Sequence, residues 1–543
     1  MKCPFCGSEN TKVIDSRAYS DGNSIKRRRE CEDCKKRFTT HEKVVELTLY
    51  VIKKDGVKQS YSREKVRKGI ARSLVKRKVD SERIEEAIDK IEREILTNYS
   101  GEIKSSDLGN IIMSYLLDLD EIAYVRFASV YKKFDSLESF IKEISIEPLE
   151  PKEGERVIEG NNRVLIPGFV NAHAHSPMSL MRGYGENMSL QDWLFKRIFP
   201  FEDKLSSEAV YYGTLLSMAE SFKYGIVSTS DMYYFVDDIV RAALESGAKA
   251  NISRSITNPS GEPFDSLSSV KEAEEVASKY HMLADGRIRI DHSLHAEYTS
   301  NEETATRLAE IAKNAGLNMH VHVSETQREH EECKFRHEGR SPVKYLADCG
   351  IFDVRATAAH CIWIDASDFD ILREKGVTVA TNPVSNLKLA SGICDVEGLL
   401  GNNINVAIGT DSSASNNNLN MLEEIKTMTI LAKVKRSDPT VISPAQALKM
   451  ASFNGSIAQG REDCGRIKVG NRADLVMIRT DSPNMFPRHN ILNNIVFSAT
   501  DSDIAMTMVD GKIVYENGEF TTIDVEKTAF EVEKNVAKIM SQL

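Results

Sequence analysis

The sequence predicts a multidomain protein: an N-terminal zinc ribbon and an α+β domain, then a (β/α)8 barrel beside a small β-sandwich. Three observations lead to this prediction. Two Cys-x-x-Cys pairs lie within the first 34 residues. Strand-like runs alternate with helical stretches from Arg156 to about Gly460, as in a barrel of parallel strands. A chain of 543 residues is too long for one core, and its length suggests three or four domains.

The expected segments follow from these patterns. We predict a DNA-binding ribbon at 1–46, an α+β domain at 47–147, a linker at 148–156, the barrel at 157–460, and sandwich strands with a terminal helix at 461–543. The net charge of −10 argues against nucleic acid binding along the whole surface. No apolar run approaches the ~20 residues that span a bilayer, and no signal peptide is present, so we expect a cytoplasmic protein without a membrane segment.

The ribbon is predicted from Cys3, Cys6, Cys31 and Cys34. Four thiolates at this spacing hold a structural zinc ion tetrahedrally and replace a core too small to fold unaided. The candidate DNA contacts of this segment are Lys26, Arg27, Arg28, Arg29 and Arg37. They could contact the phosphates of double-stranded DNA, and a solvated basic face is the alternative.

The α+β domain begins with a strand from Leu47 and a Lys-Asp-Gly turn that ends at Gly56. A basic helix is expected over 63–78, and further helices are expected over 81–97, 105–117 and 120–133. Candidate phosphate ligands near the first helix are Lys53, Lys54, Arg63 and Lys65. The alternative is again that these basic side chains are only solvated.

Several N-terminal motifs resemble one family: Cys3-Pro-x-Cys6, Asp15-Ser-Arg17, Ile25 to Cys31, Arg37-Phe-Thr-Thr40 and Val51 to Gly69. They are similar to the NrdR family of transcriptional repressors of ribonucleotide reductase genes. The resemblance implies that Arg17 joins the DNA contacts and that 47–147 form an ATP-cone. ATP or dATP would then act as an effector that sets oligomerisation and operator affinity, which makes a homo-oligomer the expectation.

A second metal site is predicted in the barrel. His173 and His175 follow the apolar run Val164–Val170, and residues i and i+2 of a strand face the same side. Further candidates at the ends of strand-like runs are His322 with Glu325, His360 and Asp411. A lone His-x-His is usually just a polar pair, but ligand-type residues at repeated strand ends predict a catalytic metal at the barrel's C-terminal face.

The barrel motifs also resemble a family: Pro167 to His175, His295 to Thr299, His320 to Thr326, Ala359 to Cys361, Asn382 to Asn386, and Gly409 to Ser415. They are similar to the amidohydrolase superfamily, and in particular to the branch that deaminates 5-methylthioadenosine and S-adenosylhomocysteine. The resemblance implies one zinc ion on His173, His175, His322 and Asp411. It assigns proton transfer to Glu325, His360 and Asp411, and substrate contacts to Trp193, Glu202, Arg254 and His295.

The predicted reaction is hydrolytic deamination of one of these nucleosides, or of adenosine, to the inosine analogue and ammonia. Adenine C6 is a poor electrophile, so a strong nucleophile is needed at neutral pH, and a zinc-bound water of pKa near ~7 provides one. Two alternatives stay open. The barrel could be inactive or only bind a ligand, which would leave a repressor, or the enzyme could be a guanine-type deaminase or a chlorohydrolase.

Two departures from the family carry further expectations. Only residues 156–170 precede the His-x-His strand, where the family usually has a longer segment that forms much of the sandwich, so we expect an incomplete sandwich. The loop Thr257–Ser269 lacks the second arginine that relatives use to hold an amino-acid carboxylate. We therefore expect 5-methylthioadenosine to be preferred over S-adenosylhomocysteine.

Overall fold

The computed structural model describes residues 2–18, 24–43, 49–53, 57–74, 79–99, 101–119 and 156–543. Two compact units divide the chain, one within residues 1–140 and the other within 141–543. Several expectations fall outside the described residues: Lys54, the turn at 54–56, the end of the first helix at 75–78, the helix at 120–133 and linker residues 148–155. No helix in the described ranges has the length and apolar character that crossing a bilayer requires.

The ribbon is a three-stranded antiparallel sheet of β1 (Thr11–Ala18), β2 (Ser24–Cys31) and β3 (Arg37–Lys43) in that order. Cys31 ends β2, and it is buried together with Cys3 where a larger domain would have an apolar core. The predicted zinc ribbon is confirmed as a fold.

The second domain has a three-stranded sheet with β4 (Tyr50–Ile52) in the centre. β5 (Lys58–Ser60) pairs with it antiparallel, and β6 (Glu102–Lys104) pairs with it parallel. Three helices pack with this sheet: α1 (Arg63–Ser73), α2 (Ser81–Asn98) and α3 (Ser105–Leu119). The Ser62 side chain caps α1 by accepting from the Lys65 amide. Buried isoleucines and leucines of the three helices form the core of the domain.

The barrel is an eight-stranded parallel sheet in sequential order. Its strands are β8 (Phe169–Ala174), β9 (Ile226–Tyr233), β10 (Lys249–Ile256), β11 (Ile288–Ala296), β12 (Met319–Val323), β13 (Ala356–His360), β14 (Thr378–Thr381) and β15 (Asn405–Ile408). A parallel bridge between Ala174 and Asp411 closes the sheet on itself. The alternation of strand and helix in the sequence therefore predicted the barrel correctly.

Helices alternate with the strands and bury one face each. Their ranges are Ser207–Lys223, Val236–Ser246, Ser268–Tyr280, Glu302–Ala315, Gln327–Arg336, Pro342–Asp348, Ala366–Glu374, Pro383–Lys388, Val396–Gly401, Met421–Arg436 and Pro444–Lys449. Glu302–Ala315 illustrates the local logic. Asn301 caps its first turn, Leu308 and Ala312 lie on its buried face, and Gly316 ends it with a φ of 66°.

A five-stranded antiparallel sheet lies beside the barrel, in the order β19-β18-β17-β16-β7. Its strands are β7 (Arg163–Pro167), β16 (Leu475–Arg479), β17 (Ile504–Val509), β18 (Lys512–Glu516) and β19 (Glu519–Phe520). Two further helices, Ile491–Phe497 and Val525–Met540, belong to the same C-terminal segment. Within the described residues β7 is paired on one side only, as expected for an incomplete sandwich.

The run Val164–Val170, which we treated as one strand, is split between two sheets. Its first part is β7 of the small sheet, and its second part opens β8 of the barrel. The change of sheet occurs at Gly168, where an added Cβ would lie 2.4 Å from Val227 Cγ1. The barrel boundary at residue 157 therefore places β7 on the wrong side, because that strand belongs with the C-terminal sheet.

Candidate functional site

Four predicted zinc ligands converge at the C-terminal end of the barrel: His173 in β8, His175 directly after it, His322 in β12 and Asp411 after β15. His175 Nε2 lies 3.3 Å from both His322 Nε2 and Asp411 Oδ1. His173 Nε2 lies 3.6 Å from Asp411 Oδ1. A tetrahedral zinc ion with bonds of about 2.0–2.1 Å holds its ligand atoms about 3.3 Å apart. These three pairs have the spacing of zinc ligands, and the ligand atoms of His173, His175 and Asp411 all lie within 4.8 Å of one another, as do those of His173, His322 and His360.

The opposite ring nitrogens of two of these histidines bond to backbone carbonyls. His175 Nδ1 lies 2.6 Å from the Met232 carbonyl oxygen, and His322 Nδ1 lies 2.6 Å from that of His295. A carbonyl oxygen can only accept, so both Nδ1 atoms donate. Each Nε2 consequently carries the lone pair that a metal needs.

His173 is oriented by His320, which was not among the predicted site residues. Its Nδ1 lies 2.9 Å from Nε2 of His320, while its buried Nε2 has no hydrogen-bond partner among the described residues. Burial lowers the pKa of His173 to about 4 and the pKa of His322 well below 6.5, so both rings are neutral at pH 7. A neutral imidazole with an unpartnered, inward nitrogen fits a zinc ligand.

Asp411 is held so that only one of its oxygens faces the histidines. Its Oδ2 accepts from Ser385 Oγ at 2.5 Å and from Ser415 Oγ at 3.1 Å, which leaves Oδ1 for the metal site. Burial raises the pKa of Asp411, but the nearby imidazoles of His173 and His175 outweigh this effect and hold the pKa well below 3.8. The backbone φ of 59° at Asp411 is the kind of strain that active sites store.

The two predicted proton-transfer residues lie next to this cluster. Glu325 Oε2 is 3.9 Å from His360 Nε2, and Glu325 Oε1 accepts from Ser391 Oγ at 3.2 Å. Burial raises the pKa of Glu325, which favours a protonated acid that can donate. His360 Nδ1 lies 2.8 Å from Asn386 Oδ1, so the ring presents Nε2 to the site.

A second buried glutamate fixes the turn that carries Glu325. The Glu329 carboxylate accepts the backbone N–H groups of Ser324 at 2.8 Å and of Glu325 at 2.7 Å. Sequence reasoning missed this residue, because nothing distinguishes it from other acids of its helix. His320 had a usable signal, since its i, i+2 spacing from His322 places both on one side of β12.

A cavity extends from the metal cluster, with an empty volume of about 610 Å³ that includes its open mouth. Its apolar wall is formed by Met178, Leu190, Trp193, Leu194, Ile198, Phe199 and Leu389. Its polar wall includes the predicted substrate residues Glu202 and His295, and Trp193 belongs to the apolar side. Burial raises the pKa of Glu202 to about 7.

Arg254, the fourth predicted substrate contact, is not among the residues that line this cavity. Its guanidinium is engaged elsewhere. Nε donates to Glu272 Oε2 at 2.6 Å, and Nη1 donates to the Ser255 carbonyl. Arg254 is therefore beside the cavity but already paired with an acid.

In the ribbon, the four cysteine Sγ atoms lie within 4.8 Å of one another. Cys3 and Cys34 are separated by 3.6 Å, as are Cys6 and Cys31. A tetrahedral zinc ion with Zn–S bonds of about 2.3 Å places its sulfur atoms about 3.8 Å apart. The cysteines thus fit the predicted structural zinc ion.

The predicted DNA contacts do not lie on one face of the ribbon. Strand register places Arg17 opposite Lys26 and Glu30 opposite Arg37, so these share a face with Arg28. Alternation puts Arg27 and Arg29 on the other face. Two of the cations are balanced by acids, because Arg17 Nε lies 3.1 Å from Asp15 and Arg37 Nε lies 2.8 Å from Glu30.

The predicted nucleotide contacts also fall into two groups with different surroundings. Lys53 and Lys65 line a cavity between the small sheet and helices α1 and α3. Arg63 instead pairs with three acids of α2, namely Glu85, Asp89 and Glu92. Its guanidinium therefore joins α1 to α2, and it does not line that cavity.

Comparison with known proteins matches this architecture. Residues 164–514 match the amidohydrolase family. The chain belongs to the amidohydrolase family. A relative from Thermoanaerobacter pseudethanolicus, named 5-methylthioadenosine/S-adenosylhomocysteine deaminase, is 41% identical over 389 residues, which cover 72% of this chain and 90% of the relative. A protein of the same name from Dictyoglomus thermophilum is 39% identical over 74% of this chain and 93% of its own.

Solved structures of amidohydrolases agree with the barrel. An adenosine deaminase from Xanthomonas campestris with bound zinc has a TM-score of 0.67 and 30% identity, covering 70% of this chain and 87% of its own. Atrazine chlorohydrolase from Arthrobacter aurescens complexed with zinc has a TM-score of 0.67 at 20% identity, covering 72% and 92%. At that identity, the second likeness supports the fold alone.

The N-terminal residues match two other families. Residues 1–42 match the N-terminal domain of transcriptional repressors of the NrdR-like type, and residues 49–137 match the ATP cone domain. These matches confirm that an NrdR-like ribbon and an ATP-cone are joined to an amidohydrolase in one chain.

Proposed function

We propose that the barrel deaminates 5-methylthioadenosine or S-adenosylhomocysteine hydrolytically, giving the inosine analogue and ammonia. The observation that carries this proposal is the convergence of His173, His175, His322 and Asp411, in which three pairs of ligand atoms lie 3.3–3.6 Å apart, with Glu325 and His360 beside them. The names of the relatives supply the substrate class. A guanine-type deaminase or chlorohydrolase would share the metal ligands, so the substrate itself has to be tested.

The residues divide the chemistry among them. Zinc held by this cluster would supply a water molecule whose pKa is lowered to about 7. Asp411 Oδ1 accepts the proton of the attacking water, and Glu325 protonates the ring nitrogen next to C6 as the new C–O bond forms. His360 Nε2 hydrogen-bonds the oxygen at the tetrahedral carbon. The proton held by Asp411 then passes, with the help of Glu325, to the departing nitrogen, and Glu325 takes up the proton of the C6 hydroxyl, so that the C–N bond breaks, ammonia leaves and the C6 carbonyl remains.

The test is the pair Glu325→Gln and Glu331→Gln in the full-length chain. Glu331 is exposed on the helix that follows Glu325, so it controls for the loss of one acidic charge. We expect Glu325→Gln to lower kcat for 5-methylthioadenosine by roughly 10²- to 10⁴-fold with zinc content unchanged, as for loss of a general acid. Ammonia release and product formation are measured together. Equal activity of the two variants would contradict the assignment.

For the N-terminal region we propose a nucleotide-responsive, DNA-binding repressor of ribonucleotide reductase genes. Lys53 and Lys65 in the cavity of the ATP-cone support ATP or dATP as effector. The face with Arg17, Lys26 and Arg28 supports contact with the phosphates of double-stranded DNA. The cofactors would then be one structural and one catalytic zinc ion, and we propose a homo-oligomer that acts in the cytoplasm.

Nucleotide binding is tested with Lys65→Ala against Lys68→Ala, which lies on the exposed side of the same helix. We expect Lys65→Ala alone to weaken ATP and dATP binding, because only Lys65 lines the cavity. Equilibrium binding of each nucleotide to the full-length chain provides the measurement. Equal affinities for both variants would refute this cavity as the effector site.

A further inference from the structure

The cavity that would receive the nucleoside is lined by acidic side chains and by histidines of the metal cluster, without a lysine or arginine among the described residues. Of the described residues that line it, Glu202, Glu325 and Asp411 are acidic, and none is lysine or arginine. The lining also includes a large apolar part, with Trp193 and Leu194 among its members. A methylthio group suits such a wall. An amino-acid carboxylate would meet acidic groups and apolar side chains without a positive partner.

The guanidinium of Arg254 lies next to two residues of the cavity lining, Tyr234 and Ser255. Arg254 is placed 4.8 Å from the centre of the Tyr234 ring, and both Tyr234 and Ser255 line the cavity. Two of the three guanidinium nitrogens are bonded away from the cavity lining's acids: Nη1 donates to the Ser255 carbonyl, and Nε donates to Glu272 Oε2 at 2.6 Å. The side chain of Arg254 is 16% exposed and that of Glu272 is 35% exposed, so the ion pair is partly shielded from water.

We propose that Glu272 determines specificity: by pairing with Arg254 it withdraws the guanidinium beside the cavity and favours nucleosides with a neutral 5′ substituent over those with a carboxylate. This inference rests on the proposed deaminase function. The carboxylate of S-adenosylhomocysteine would compete with Glu272 for the positive charge of Arg254 and for its charge-assisted hydrogen bonds. 5-Methylthioadenosine has no carboxylate, so its binding leaves the pair intact.

The bland alternative is that the pair only fastens the helix Ser268–Tyr280 to β10. A structural role of this kind would change turnover of both nucleosides together. A role in specificity changes the ratio of the two kcat/KM values, because only one substrate carries the carboxylate. The ratio is therefore the readout that separates the two roles.

The experiment compares both nucleosides in the full-length chain and in Glu272→Gln, with Glu274→Gln as a control. Glu274 is exposed on the same helix. We expect Glu272→Gln to raise kcat/KM for S-adenosylhomocysteine relative to 5-methylthioadenosine by roughly tenfold, the size of one hydrogen bond to a charged group. Adding Arg254→Met to Glu272→Gln reverses that gain, and Glu274→Gln leaves the ratio unchanged.

The outcomes distinguish this inference from the proposed function. An unchanged ratio in Glu272→Gln, with both nucleosides still deaminated, overturns the inference alone. A gain that persists after Arg254→Met also overturns it, because the guanidinium would then not be its cause. If the unsubstituted, zinc-loaded chain deaminates neither nucleoside, the proposed function fails and the inference falls with it.

Discussion

At the scale of single residues, each metal-site side chain depends on a partner that holds its other end. His320 holds Nδ1 of His173, and backbone carbonyls hold Nδ1 of His175 and His322. These bonds select the tautomer and fix the ring orientation, so the ligands are already ordered before a metal binds. Glu329 does the same for Glu325 through two backbone amides.

Glu202 leads to a prediction about pH. Burial raises its pKa to about 7, although the Tyr233 hydroxyl and the charge of His175 lower it. If the ionised form accepts hydrogen bonds from the substrate, kcat/KM falls below about pH 7 as the carboxylate becomes protonated. Glu202→Gln cannot titrate and should lose this part of the profile. The measurement is kcat/KM of both proteins between about pH 5.5 and pH 8.5. An identical decrease at low pH in the variant would rule out Glu202 as its cause.

At the scale of elements, the ends of strands create the site. β8, β12, β13 and β15 each deliver a functional side chain at or just after their last residues. His360 and Asp411 both have positive φ, of 73° and 59°, so the chain turns sharply where these side chains enter the cavity. The regular sheet keeps the site rigid, and the strained residues at its C-terminal end direct their side chains into the cavity.

Gly168 gives the prediction at this scale. It lies where the chain leaves β7 and enters β8, and an added methyl group would meet the buried Val227 at 2.4 Å. We expect Gly168→Ala to destabilise the barrel by roughly 1–3 kcal/mol through overpacking. Gly160→Ala is the matched control, because its added Cβ would have nothing within 4 Å. Thermal unfolding measures both, and an equally small effect of the two substitutions would contradict the steric argument.

The helices and strands also show which parts of the fold and of the site could be predicted from the sequence. Strand and helix periodicity, with ligand-type residues at strand ends, sufficed for the barrel and for the metal cluster. Periodicity could not show that Val164–Val170 is divided between two sheets, since both parts are apolar and only contacts distant in sequence separate them. Arg254 was placed in the substrate site for its motif position, but Glu272, 18 residues later, claims its guanidinium.

At the scale of the whole molecule, the chain joins two units that each have their own core. Fusion alone does not establish communication, which would require a measured linkage between two sites. β7 is an edge strand of the five-stranded sheet within the described residues.

We therefore expect a substitution that disables one unit to leave the activity of the other unit intact. Cys31→Ser removes one of the four thiolates and should abolish the ribbon zinc and DNA binding. We expect kcat/KM for 5-methylthioadenosine to change less than about twofold, because the ribbon and the barrel lie in separate compact units. DNA binding and deamination are measured on the same preparation, with Cys349→Ser as the cysteine control in the barrel unit. Loss of deamination in Cys31→Ser would show that the units are coupled.

The central claim is that one chain carries a working deaminase and a zinc-ribbon repressor. The most direct test measures zinc content and 5-methylthioadenosine deamination on one preparation of the full-length protein. We expect about two zinc ions per chain, one for each site, together with release of one ammonia for each nucleoside consumed. About one zinc ion per chain and no ammonia would contradict it, and would leave the ribbon and the ATP-cone as the functional part of the protein.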